Sequence, residues 1–174
     1  NNLISSLKNI NHQFEETLNN TREITKLWAQ KLQNKKSIFI LGKDECYAIA
    51  REGALKIKEI SYIHAEAYPS SSLKHGPFGL LEKGFPVILI DIGENNRLKM
   101  LNVYNEIKCR NAEIYTISDE KNLERENTII IDTNSEFKEL LSVIPLQYLA
   151  FYLSVNKNIN PDFPRNLAKV VTVE

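Results

Sequence analysis

The sequence predicts an α/β fold in which a mainly parallel sheet is flanked by helices on both faces, in three layers. Short continuous apolar runs, such as Ser37–Leu41 and Phe85–Asp91, are typical of strands buried on both faces. Segments with apolar residues at helical spacing separate these runs, and this alternation indicates parallel strands joined by helical crossovers. The 174 residues suffice for one domain with a proper core.

Residues 1–35 are predicted to form leading helices, because apolar residues recur at helical spacing along this polar stretch. Asn19 and Asn20 precede Thr21, a favourable N-cap residue, so a break between two helices is expected there. Trp28 is expected in the core, since a large aromatic residue on an apolar helix face more often packs than binds a ligand.

After the first strand, the next helix is predicted to begin at Asp44 or Glu45. On it Glu52, Lys56 and Glu59 are spaced i, i+4 and i+7, so the three charged side chains share one face. The spacing alone favours a solvated face. The alternative is chemical, because an adjacent carboxylate and ammonium can move a proton next to a carbonyl group. Since the helix leaves the carboxyl end of a strand, we expect the charged face to point toward the ligand-binding crevice of an open sheet.

The rest of the chain continues the alternation. The predicted elements are, in order, a short strand at Ala65–Tyr68, a loop at Pro69–Ser72, a buried strand at Phe85–Asp91, a helix at Asn96–Arg110, and strands at Glu113–Ile117 and Thr128–Ile131. Phe137–Val155 is long and apolar, and Pro145 predicts the start of a second helix within it. The polar, proline-punctuated residues 160–174 would fray unless something ties them down.

Composition argues against several classes of function. Lys+Arg and Asp+Glu are both 22, so the net charge is zero, and nucleic-acid binding is not expected. No apolar run suits a membrane span and no signal peptide is recognisable, so we expect a cytoplasmic protein. Cys46 and Cys109 lie far apart, which predicts neither a metal site nor a structural disulfide. Gly42-Lys43-Asp44 lacks the dinucleotide-binding pattern, and no cofactor is expected.

Three separated motifs carry a resemblance to a known family. They are E-G-A-L-K-I-K-E-I-S-Y-I-H-A-E-A-Y at Glu52–Tyr68, L-K-H-G-P at Leu73–Pro77 and P-R-N-L-A-K-V-V-T-V-E at Pro164–Glu174. In this order they resemble the glucosamine-6-phosphate synthases, the isomerizing glutamine–fructose-6-phosphate aminotransferases. The matching part is the second of two sugar isomerase (SIS) modules plus the C-terminal tail. The resemblance implies a SIS-type sandwich with leading helices at 1–35, a SIS domain at 36–157 and a catalytic tail at 158–174.

The resemblance also implies a reaction and its residues. The family makes glucosamine 6-phosphate from fructose 6-phosphate and glutamine-derived ammonia. By match to its motifs, Glu59 shifts a proton between C1 and C2, and Lys56 assists. His75, supplied by the neighbouring subunit of a homodimer, opens the sugar ring. Lys169 forms a Schiff base with the open ketose, and Ala168 beside it contacts the substrate.

Other residues of these motifs are expected to play supporting parts. Glu52 is predicted to be a structural partner within the helix, and His64 to make a local hydrogen bond. His12 is predicted to be exposed. Arg165 is expected to anchor the tail through a bidentate pair with a carboxylate. Ser71-Ser72 stand where the family usually has Gly-Glu, which puts the loop holding the catalytic histidine in question.

Two parts of the family's enzyme are missing from this sequence, namely the first SIS module and the glutaminase domain. We therefore expect a piece of a longer protein that has little or no activity alone. One alternative is another SIS enzyme, a sugar-phosphate isomerase or deglycase, which should lack the joint L-K-H-G-P and tail signatures. The other is a non-catalytic SIS sensor of phosphosugars, which would have no reason to keep Lys56, Glu59 and Lys169 together.

Overall fold

A parallel five-stranded sheet forms the centre of this computed structural model, which describes residues 2–123, 125–132 and 135–166. The strand order is β2-β1-β3-β4-β5, and every neighbouring pair is parallel. The strands are β1 (Ser37–Gly42), β2 (His64–Pro69), β3 (Pro86–Asp91), β4 (Glu113–Ser118) and β5 (Thr128–Ile130). The edges of the sheet are β2 and β5. The predicted α/β class is confirmed, and each predicted strand lies within about two residues of its expected position.

Helices cover both faces of the sheet. They are α1 (Asn2–Lys8), α2 (Ile10–Leu32), α3 (Glu45–Ser61), α4 (Arg97–Lys108), α5 (Lys138–Leu141) and α6 (Val143–Asn156). Helices α2, α3 and α6 pack on one face, and α4 packs on the other together with a 3-10 helix at Ser70–His75 that replaces the predicted loop. The structure thus has the predicted three layers.

Alternate residues of each central strand supply the two cores. In β1, Ile38 and Ile40 face α2, α3 and α6, whereas Phe39 and Leu41 face α4. All four side chains are fully buried. This two-sided burial explains why the central strands read as continuous apolar runs rather than as an alternating pattern. Trp28 is also buried, as predicted, and its ring packs edge-on against Tyr115 with 5.0 Å between ring centroids.

The break in the leading helices lies at Asn9 rather than at Thr21, so the prediction there is wrong. Helix α2 runs without interruption from Ile10 to Leu32. Thr21 is buried inside it, and its hydroxyl donates to the Thr17 carbonyl oxygen at 2.8 Å. Thr25 bonds in the same way to the Thr21 carbonyl at 2.7 Å. These hydroxyls are satisfied within the helix and need not cap a new one.

The apolar stretch 137–155 contains two helices, as expected, but the second helix begins two residues before Pro145. Helix α5 ends at Leu141 and α6 begins at Val143, so Pro145 lies in the first turn of α6 rather than starting it. Proline is tolerated there, because the first N–H groups of a helix have no partner within the helix.

A buried charge network holds α4 to the sheet, and the sequence did not reveal it. Asp91, at the end of β3, is 1% exposed and lies 3.1 Å from the Arg97 guanidinium and 3.4 Å from that of Arg125. Asp119 pairs with Arg97 at 2.5 Å and Lys138 at 2.6 Å. Burial raises the pKa of Asp91 despite its cationic neighbours. For Asp119, hydrogen bonds from Lys138 and Arg97 outweigh burial and lower the pKa.

Helices α3 and α6 come into close contact at Gly53. A methyl group on Gly53 would lie 2.5 Å from Leu146 Cδ1 and 3.1 Å from Leu146 Cβ, and Leu146 is fully buried. We predict that Gly53→Ala lowers the free energy of unfolding by about 1–2 kcal/mol, because overpacking outweighs the gain in helix propensity. Denaturation by urea measures this change.

Gly79→Ala is the matched control. A methyl group there meets nothing within 4 Å in the described residues. The urea concentration at the midpoint of unfolding of Gly79→Ala should stay close to that of the parent chain. A Gly53→Ala variant as stable as the parent would contradict the packing described for α3 and α6.

Candidate functional site

Lys56 and Glu59 form a close ion pair in the last two turns of α3. Lys56 Nζ lies 2.7 Å from Glu59 Oε2 and 3.6 Å from Glu52 Oε1. The three side chains therefore share one helix face, as their spacing predicts, and Glu52 supports the lysine as expected. The Lys56 and Glu59 side chains are 33% and 26% exposed, so the pair is partly shielded yet open to a ligand.

The ion pair fixes the charge state of the lysine. The hydrogen bond to Glu59 raises the pKa of Lys56 above its usual value, so the ammonium stays charged at neutral pH. A raised lysine pKa adds stability that is fully present below the unfolded-state value of about 10.4 and is lost as the pH rises through the folded-state value. At physiological pH the amine is therefore a hydrogen-bond donor and a positive charge, not a base.

The C-terminal segment returns to the end of this helix. Tyr62, which follows α3, accepts a hydrogen bond on its hydroxyl from the backbone N–H of Arg165 at 2.7 Å. The Arg165 guanidinium lies over the Tyr62 ring, 4.1 Å from the centroid. Within the described residues the anchor is thus an aromatic ring, and the predicted bidentate pair of Arg165 with a carboxylate is not found among them. Arginine stacks readily on aromatic faces, since its planar guanidinium is attracted to the ring.

A cavity of about 290 Å³ lies between the helix end and the C-terminal segment. Its lining comes from Lys58, Glu59 and Tyr62 on one side and from Arg165 and Asn166 on the other. Residues more than a hundred positions apart thus converge on one hollow beside the Glu59 carboxylate. Two further predicted site residues, Ala168 and Lys169, lie outside the described residues.

The site is not in the crevice where open α/β sheets usually bind ligands. Helix α3 starts beside the carboxyl end of β1 and runs back, so Glu59 lies close to the start of β2 at His64. The expectation that the charged face points toward the crevice is therefore wrong for Glu59. At the other end of the helix, Asn96 donates a 2.7 Å hydrogen bond to Asp44, the residue preceding α3.

The single chain does not bring His75 to Glu59. His75 ends the 3-10 helix that follows β2, and its side chain is exposed. The neighbouring Leu73 packs with Phe39 on the α4 face of the sheet, whereas α3 packs on the opposite face. The histidine and the carboxylate therefore lie on opposite faces of the sheet.

The remaining histidines follow their predictions. His64 Nδ1 lies 2.9 Å from the Ser37 hydroxyl, a local hydrogen bond. His12 is 72% exposed and pairs with Glu16 at 3.2 Å. In the described part of the chain, no group of three or more metal-ligating side chains is present. The described helices also include none with the length and apolar character needed to cross a membrane.

Comparison with known proteins gives one consistent result. The SIS domain family matches residues 31–157. The chain is 44% identical over 162 residues to a glutamine–fructose-6-phosphate aminotransferase [isomerizing] of Sulfolobus acidocaldarius, covering 93% of this chain and 27% of that protein. It is 45% identical over 160 residues to the protein of the same name from Sulfurisphaera tokodaii, covering 91% of this chain and 27% of that protein. The chain thus spans about a quarter of the length of these curated relatives.

A solved structure agrees with these sequence relatives. The C-terminal domain of glucosamine-fructose-6-phosphate aminotransferase from Francisella tularensis superposes with a TM-score of 0.83 at 32% identity. The match covers 90% of this chain and 45% of that one. The fold of the described residues is therefore that of one half of this solved domain.

The Lys56–Glu59 pair can be tested by titration. We predict that Glu59→Gln lowers the pKa of Lys56 toward the ordinary lysine value, because the 2.7 Å charged hydrogen bond is lost. Heteronuclear NMR of the lysine side chains measures this change. Glu52→Gln is the matched control, and it should have a smaller effect because Glu52 lies 3.6 Å away. Equal effects of the two substitutions would contradict the pairing.

Proposed function

This chain belongs to the SIS domain family, and on that premise we propose that it is the second SIS module and C-terminal segment of an isomerizing glutamine–fructose-6-phosphate aminotransferase. The observation that carries the proposal is the cavity that Glu59, the ion-pair partner of Lys56, lines together with Arg165 and Asn166. The curated relatives at 44% and 45% identity bear the aminotransferase name, which disfavours another SIS isomerase, a deglycase or a phosphosugar sensor.

The proposed chemistry starts from the Glu59 carboxylate. In the imine that fructose 6-phosphate and ammonia form with loss of water, this carboxylate removes a proton from C1 and returns it at C2. The proton of the C1 hydroxyl passes to the nitrogen, so C1 becomes the aldehyde carbon of glucosamine 6-phosphate. Lys56 remains an ammonium and orients the carboxylate through their 2.7 Å contact. Its positive charge also lies beside the negative charge that develops when the proton leaves carbon.

The tail residues complete the proposed site. Lys169 lies four positions after Arg165 in the sequence, a separation that a chain spans with at most about 14 Å. Chain length therefore keeps Lys169 within reach of the cavity that Arg165 lines. We assign to Lys169 a Schiff base with C2 of the open ketose, formed with loss of water. Ammonia then displaces the lysine amine from C2 and gives the imine on which Glu59 acts. To Ala168 we assign a contact with the sugar.

The proposed parent protein would supply the other partners. Ammonia and the remaining sugar-phosphate contacts would come from a glutaminase domain and a first SIS module elsewhere in the protein, which we place in the cytoplasm. His75 would act in the site of a second copy, since it lies across the sheet from Glu59 in its own chain. A homodimer is the simplest arrangement that supplies it.

The direct test uses the full-length protein that carries this sequence. We predict that Glu59→Gln lowers the turnover of fructose 6-phosphate to glucosamine 6-phosphate by at least about a hundredfold, because the proton acceptor is lost. Glu52→Gln, on the same helix face, is the control and should keep most of the activity. The isolated chain should give no product. Full activity of Glu59→Gln, or turnover by the isolated chain, would contradict the proposal.

Mixing two inactive variants tests whether His75 acts in the neighbouring site. In a mixed dimer of Glu59→Gln and His75→Ala, one site combines the intact glutamate of one chain with the intact histidine of the other. Random pairing should then restore about a quarter of the wild-type activity. If His75 instead acts in its own chain, both sites of the mixed dimer carry one lesion. Co-expression, with glucosamine 6-phosphate measured, separates the two cases.

A further inference from the structure

The 3-10 helix that ends in His75 is anchored through residues on both sides of the histidine. Leu73, two residues before it, is 1% exposed and belongs to the core between the sheet and α4. Phe78, three residues after it, is partly buried against the same core. His75 itself is exposed. The histidine therefore projects from a short segment whose two ends are held.

The end of α4 attaches to this segment at two further points. The Glu106 carboxylate lies 2.5 Å from the Nζ of Lys74, the residue immediately before the histidine. The Arg110 guanidinium lies over the Phe78 ring, 3.9 Å from its centroid. Arg110 also donates to the carbonyl oxygen of Glu106 at 2.6 Å, which helps to fix the guanidinium over the ring. The end of α4 thus contacts the chain both before and after His75.

The chain turns sharply directly after the histidine. Gly76 has φ 136° and ψ −56°, a backbone conformation that residues with a side chain rarely adopt. The N–H of Gly79 donates to the Gly76 carbonyl oxygen at 2.9 Å, within the turn that leads into a second 3-10 helix at Pro77–Leu80. His75 therefore stands at a corner between two short helices, and the contacts on both sides of the corner determine where its imidazole lies.

We propose that Glu106 and Arg110, here called the histidine clamp, are positioning residues that hold the exposed His75 side chain where it can enter the site of a second copy. The inference rests on the proposed function, in which His75 acts beside the Glu59 carboxylate of another chain. Neither clamp residue contacts the sugar in this proposal, and both act through the histidine.

A held segment matters because the histidine must act across two chains. A proton donor or acceptor works when its nitrogen lies about 2.6–3.2 Å from the oxygen that it serves. A segment that is already fixed avoids the entropy cost of ordering it each time a sugar binds. An ion pair and a cation–π contact at the surface are each weak, so only the loss of both clamp contacts should have a clear effect.

The experiment uses mixed dimers of the full-length protein in which only one site is complete. One chain carries Glu59→Gln and the other carries His75→Ala, and two affinity tags isolate the mixed pair. The complete site then combines the glutamate of the His75→Ala chain with the histidine of the Glu59→Gln chain. The double substitution Glu106→Ala with Arg110→Ala is added to one chain at a time, and kcat for glucosamine 6-phosphate formation is measured.

The two placements have different expected results. In the Glu59→Gln chain, which supplies the working histidine, the double substitution should lower kcat by about fivefold to tenfold, the size expected when two weak surface contacts are lost. In the His75→Ala chain, whose segment serves the inactive site, the same substitution should leave kcat unchanged. A general effect on folding or on dimer formation would lower kcat in both placements.

Lys108→Ala in the Glu59→Gln chain is the matched control. Lys108 is a cation at the same end of α4, and its ammonium lies over the Tyr104 ring, 5.7 Å from the centroid. Its removal takes away a charge and a cation–π contact without altering either clamp contact. We expect kcat to stay at the value of the mixed dimer without further substitutions.

Every other outcome overturns the inference. Unchanged kcat in both placements would show that the clamp does not position the histidine, while the proposed function would stand. An equal or larger loss in the His75→Ala placement, or a matching loss with Lys108→Ala, would assign Glu106 and Arg110 a structural role only. A mixed dimer that makes no product before any clamp substitution is added would overturn the proposed role of His75 across chains, and the inference with it.

Discussion

The packing of α3 against α6 determines where the two walls of the cavity lie. Helix α6 is apolar on nearly all sides and is buried among α2, α3 and the sheet. Gly53 allows Leu146 to press against α3. One of these helices carries the Lys56–Glu59 pair, and the other leads into the segment that returns to Tyr62. A shift between the helices would therefore separate the cavity walls without altering any residue that lines it.

Much of the fold could be predicted because local patterns determine it. Strands buried on both faces must be apolar throughout, so Phe85–Asp91 stands out along the chain. The break expected at Thr21 failed because a buried threonine can bond to its own helix, which a sequence pattern cannot distinguish from a cap. Strand order and the network around Asp91 were beyond prediction, since both depend on contacts between distant residues.

The candidate site, too, could be predicted only where a local sequence pattern determines it. The Lys56–Glu59 pair follows from i, i+3 spacing on a helix, whereas the meeting of Tyr62 and Arg165 joins positions 103 residues apart. The available signal for that contact was Tyr62 itself, a bulky residue at the end of a helix, where glycine is usual. Glu59 lies near the start of β2 and His75 follows the end of that strand, so the fold does not make the two residues neighbours within one chain.

The two edges of the sheet bear on how copies of this chain could associate. At one edge, β5 has only three residues. At the other, β2 carries the charged side chain of Glu66 and ends in Pro69, which has no N–H to offer a neighbouring strand. Short, charged and proline-ended edges discourage pairing between molecules. We therefore expect self-association through helix and loop surfaces, with each sheet remaining a separate five-stranded unit and little tendency toward fibrous aggregates.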